Sequence, residues 1–109
     1  MQFTYNITFV VAPESERELI DYIKSELMPV IFNPDTDALN PELKKIIEAG
    51  GEKPGPEYGI SIALAASFNS EERAHLWNDH VLLPSLESFH EKFGERALFF
   101  ITLLQNLRI

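Results

Sequence analysis

Phe3, Tyr5, Ile7, Phe9 and Val11 are apolar and alternate with the polar Gln2, Thr4, Asn6 and Thr8. A period of two with one greasy and one wet face predicts a β-strand whose sheet is covered on one side only. Two further segments have strand character, Tyr58–Phe68 and Ala97–Leu107. Amphipathic helical patterns lie between the three. The expected architecture is α+β, an antiparallel sheet with helices packed on a single face. The second sheet face must then meet water, a ligand or another subunit.

The helical patterns are readable in their spacing. Leu19, Ile20, Ile23, Leu27, Val30 and Ile31 form one apolar stripe after Pro13 and the acidic Glu14 and Glu16, which suit a helix start. The predicted helix covers about Glu14–Met28, because Pro29 cannot bond back to the carbonyl of Ser25 and the helix ends or kinks there. A second stripe, Trp77, Val81, Leu82, Leu86, Phe89 and Phe93, runs to a terminal Gly94. Asn69 or Ser70 is expected to cap it, with Glu72 in capping-box position from Asn69, and Pro84 is expected to bend it.

Between the helices, Asn33–Asn40 reads as a loop, and Gly50, Gly51 and Pro54-Gly55-Pro56 read as a turn. Pro41–Ala49 fits either a short helix or an edge strand whose lysines guard against stray pairing. With a strand there, the order becomes β-α-β-β-α-β, the ferredoxin-like split unit, and the first and third strands lie in the centre. Those two strands have the cleanest alternation, which favours this topology. The 109 residues are expected to form a single domain over 1–109.

Composition narrows the function classes. Seventeen acidic against nine basic residues give a formal charge of −8, which repels phosphate backbones, so no nucleic-acid partner is expected. Cysteine is absent, removing disulfides and thiolate chemistry and fitting a cytoplasmic location. The N-terminus alternates where a signal peptide would be continuously apolar, and no run approaches the ~18 residues of a membrane span, so no membrane partner is expected. His75 and His80 are five apart and face different directions; with Glu87 and His90 they read as a solvated helix face. No metal site, cofactor or catalytic residue is expected.

The Tyr5-Asn6-Ile7-Thr8 segment, Leu27-Met28-Pro29 at the end of helix one, and Phe89 through Leu104 around Phe93-Gly94-Glu95-Arg96 carry a likeness. In these the chain resembles the bacterial family "domain of unknown function 4286". The family pattern has a His before the hydrophobic-Pro pair, where this chain has Leu27. The resemblance implies a ferredoxin-like domain paired through its sheets in a dimeric α+β barrel, and it brings no activity, substrate or catalytic residue with it.

The open sheet face is where the residues point to function. It is expected to hold Thr4, Asn6 and Thr8 of the first strand and Ser61, Ala63 and Ala65 of the third, small residues that leave volume. On the last strand Phe99, Ile101 and Leu103 are assigned to the helices. Leu98, Phe100, Thr102 and Leu104 are assigned to the open face, a mixture suited to a partner subunit. The leading expectation is a non-catalytic module that forms a homodimer over this face or binds a small molecule there. The alternative is a cofactor-independent enzyme acting on a small apolar molecule inside a dimeric α+β barrel, for which the two central strands supply no titratable group.

Overall fold

The computed structural model describes residues 2–47 and 59–107. Four strands form one antiparallel sheet: β1 (Phe3–Val11), β2 (Leu39–Lys45), β3 (Ile60–Phe68) and β4 (Ala97–Gln105), in the order β2-β3-β1-β4. Segment 41–45 is therefore strand and not helix, and the β-α-β-β-α-β order is complete. The expected glycine-proline turn lies outside the described residues. Strand β2 also takes Leu39 and Asn40 from the expected loop.

The alternation of β1 becomes the core directly. Tyr5, Ile7, Phe9 and Val11 are buried, facing Ile62, Leu64, Ala66 and Phe68 of the neighbouring strand, and both helices cover that side. Registers are unbroken from Phe3↔Phe68 to Val11↔Ile60 and from Phe3↔Gln105 to Val11↔Ala97. Gly59 leads into β3 at φ 151°, and a Cβ there would stand 3.0 Å from the side chain of Val10. Only glycine combines that backbone with that approach.

Both helices pass through their prolines, which corrects the expected end at Met28. Helix α1 is a 3-10 turn Pro13–Ser15, an α segment Glu16–Tyr22, a π turn Ile23–Leu27 and a final α turn Met28–Ile31. Helix α2 repeats the device: α segment Glu71–Trp77, π turn Asn78–Leu82, then α segment Leu83–Phe93. The ladder lengthens by one residue at each π turn, with Met28 N–H donating to Ile23 O and Leu83 N–H to Asn78 O. Pro29 and Pro84 each fall second in the α segment that follows, where a missing N–H breaks no regular bond.

The π turns also shift which residues face inward. Buried positions in α1 run Leu19, Tyr22, Ile23, Leu27 and Ile31, so Tyr22 joins the core and Val30 turns outward to 52% exposure. In α2 the buried Trp77 and Leu82 are five apart, one π turn. The cap of α2 is Ser70, whose hydroxyl accepts from Arg73 N–H at 3.1 Å. Glu72 then stands one position too early to close a capping box. Gly94 ends the helix at φ 54°.

Aromatic rings bind the layers. Phe89 lies 5.1 Å from Phe9, 4.8 Å from Phe93 and 5.8 Å from Tyr22, joining sheet to both helices. Trp77 stands 5.0 Å from Phe68, and its indole Nε1 donates to Ile31 O at 2.9 Å, occupying a carbonyl at the end of α1.

At the surface, Arg96 holds Glu18 in a two-pronged pair at 2.9 and 3.0 Å, tying the turn before β4 to α1. The Arg96 hydrogen bonds hold the Glu18 carboxyl below its ordinary value. A depressed folded-state value means the pair's contribution is present above the ordinary glutamate range and lost as pH falls through the depressed one. Arg96→Gln should return the Glu18 titration, followed by NMR, to the ordinary range with little change in stability at neutral pH. An unshifted titration curve would show the pair does not form in solution.

Candidate functional site

The uncovered sheet face is assembled by register. Four rows cross it: Leu98, Val10 and Ser61; Phe100, Thr8, Ala63 and Lys44; Thr102, Asn6, Ala65 and Glu42; Leu104, Thr4, Ser67 and Leu39. All ten residues singled out from the sequence lie here. Val10 and Ser67 share the parity but were outside that selection, although continuing the alternation would have found them. Leu39, Glu42 and Lys44 could not be placed while β2 itself was undecided.

Chemistry grades across the face. On the β4 side Leu98, Phe100 and Leu104 are 59%, 58% and 49% exposed, a patch of large apolar groups in water. The centre is small and neutral, with Asn6 Nδ2 donating to Thr8 Oγ1 at 3.0 Å along the strand. The far edge carries the ion pair Lys44–Glu42 at 2.9 Å. On β4 the opposite parity, Phe99, Ile101 and Leu103, packs against the core.

Tyr5 is buried beneath α2, and its hydroxyl lies 3.3 Å from His75 Nδ1. Burial pushes the Tyr5 pKa up, and the charges of Asp79 and Glu71 push it further, so the phenol stays protonated. Tyr22 is raised likewise by burial and by Glu26. His80 and His90 are exposed. Among the described residues no group of three or more His, Asp or Glu side chains could hold a metal ion.

Two clefts flank α2. A larger one of about 560 Å³ lies between α2 and β4, lined by Leu83, Leu86, Glu87, His90, Glu91 and Phe99. A smaller one of about 350 Å³ lies between the helices, beside Tyr22, Glu26 and Pro84. Both fall within the size range of small-molecule sites. No helix among the described residues is long and apolar enough to cross a membrane.

A four-stranded antiparallel sheet with two helices on one face and the other face open defines a ferredoxin-like α+β protein. The chain belongs to the family described as "Domain of unknown function (DUF4286)", whose model matches residues 2–107. No curated protein matches it. Solved structures share the fold at low identity. An ethyl tert-butyl ether d (EthD) family protein of Bacillus halodurans is 10% identical, with TM-score 0.67 over 96% of this chain and 99% of that one. A Dabb family protein with a ferredoxin-like fold from Mesorhizobium loti is 13% identical, with TM-score 0.57 over 99% and 100%. A dimeric ferredoxin-like protein from an uncultured marine organism is 12% identical, with TM-score 0.59 over 99% and 97%.

The contrast between the two faces is measurable on β3. Ala66 is fully buried against the helices, whereas Ala63 faces outward. Ala66→Leu should destabilise by about 1–3 kcal/mol through overpacking. Ala63→Leu should stay within about 0.5 kcal/mol in dilute urea unfolding. Equal costs would mean the small-residue face is packed within a single chain.

Proposed function

We propose that this chain is a self-associating module that pairs through its open sheet face. The observation carrying this reading is the patch of Leu98, Phe100 and Leu104, each about half exposed on one side of one strand. Three large side chains on one face of one strand, beside Val10, are costly to leave in water and are characteristic of a covered surface. A two-fold relation sets the same patch against itself, the self-complementary contact of a closed dimer. The small residues Ser61, Ala63 and Ala65 would leave room between two such sheets, where a small molecule could be held by Asn6 and Thr8. A related fold in a protein described as dimeric is consistent with the pairing.

Burying Phe100 contributes about 1.5–3 kcal/mol per subunit from area alone. Size exclusion with light scattering at tens of micromolar should give twice the chain mass for the unmodified protein. Phe100→Asp should give a folded monomer, whereas Ile101→Asp, which places a charge against the core, should fail to fold. A strict monomer without substitution removes the dimer. Dimers that persist in Phe100→Asp place the contact on another surface.

A further inference from the structure

The two edges of the sheet are built differently. Strand β2 carries Pro41, Lys44 and Lys45, a register shift between Leu39 and Glu42, and Asn40 at φ 50°. Charge, proline and a bulge are what edge strands use to refuse a further strand. Strand β4 (ALFFITLLQ) has none of these: nine residues without charge or proline, in unbroken register with β1.

Hydrogen-bond phase decides which groups that edge offers. Asn106 N–H donates to Gln2 O at 2.9 Å, just past the end of β4. Alternation along an antiparallel ladder then turns the backbone of Leu98, Phe100, Thr102 and Leu104 toward β1. It turns the N–H and C=O groups of Phe99, Ile101 and Leu103 outward, where the sheet ends.

The larger cleft lies along the same edge. Its floor is apolar, Phe99 from β4 beside Leu83 and Leu86 from α2, and the helix also brings the carboxylates of Glu87 and Glu91, one turn apart, with His90 between them. An apolar floor under an acidic rim fits a side chain with an apolar stem and a cationic head. A strand laid along β4 would turn every second side chain to the helix side of the sheet, and those beside Phe99 into this cleft. Its remaining side chains would lie beside Leu98, Phe100 and Leu104.

We propose that the outer edge of β4 and its cleft form a strand-addition site for an extended segment of a partner protein. The segment carries Arg or Lys at the positions entering the cleft and apolar β-branched residues between them. Backbone bonds to Phe99, Ile101 and Leu103 supply affinity, and the acidic rim supplies specificity. A second copy is a poorer occupant, since its own β4 brings no cation to the rim and a charge of −8 opposes bringing two such rims together.

The probe is an acetylated, amidated seven-residue peptide alternating valine and arginine, titrated into the isotopically labelled full chain and followed by NMR. Saturable shifts should appear at the amides of Phe99, Ile101 and Leu103. The double variant Glu87→Gln, Glu91→Gln should bind at least roughly tenfold more weakly. N-methylation of the peptide residues that face β4 should abolish binding, as should replacing arginine by glutamate. Equal binding of the N-methylated peptide, or shifts confined to α2, would reduce the effect to charge adhesion and overturn the site. Edge amides already protected from exchange in the free protein, increasingly so with concentration, would assign the edge to a second copy and overturn the partner.

Discussion

Everything in this fold depends on β1 being bonded on both flanks while covered on only one face. Its pairs with β3 and β4 fix both neighbours in register, so one alternating nine-residue strand decides which side chains of eighteen others enter the core. A slip of one residue would put Phe9 and Ile7 in water and Thr8 under the helices. The apolar patch on β4 follows from the same constraint. Once Phe99, Ile101 and Leu103 are drawn to the helices, Leu98, Phe100 and Leu104 have nowhere to go but the open face.

The central strands and helix positions were legible because period-two and three-to-four spacing survive intact in the sequence. Segment 41–45 was not, because an exposed edge strand needs no apolar alternation, and its Pro, Glu and Lys residues serve a helix start equally well. The open face was readable on β1, β3 and β4 for the same reason that the core was: parity assigns both faces at once. The cleft beside β4 was illegible, since it depends on how far α2 stands from the sheet edge. Glu87 and His90 could be placed on one helix flank, but not beside Phe99.

Proline spacing gave the most instructive error. Pro29 argued for a helix end or kink and Pro84 for a bend, yet both are accommodated by a π turn immediately before them. The wide turn moves the ladder one residue along, so the ring lands where an N–H is not needed. Its signal was present in α2 as the five-residue step from Trp77 to Leu82. In α1, the price of the same insertion is Val30, which leaves the stripe for solvent.

The unequal edges of the sheet bear on how far the chain can associate. A strand with two receptive edges behaves as a bifunctional monomer, and bifunctional monomers make chains of unlimited length. Here Pro41, Lys44, Lys45 and the bulge block one edge, leaving β4 as the edge open to strand pairing. A sheet with one receptive edge cannot pass growth on from edge to edge. Pairing at β4 therefore does not propagate along the sheet, and the apolar strand can remain uncharged without seeding a fibril.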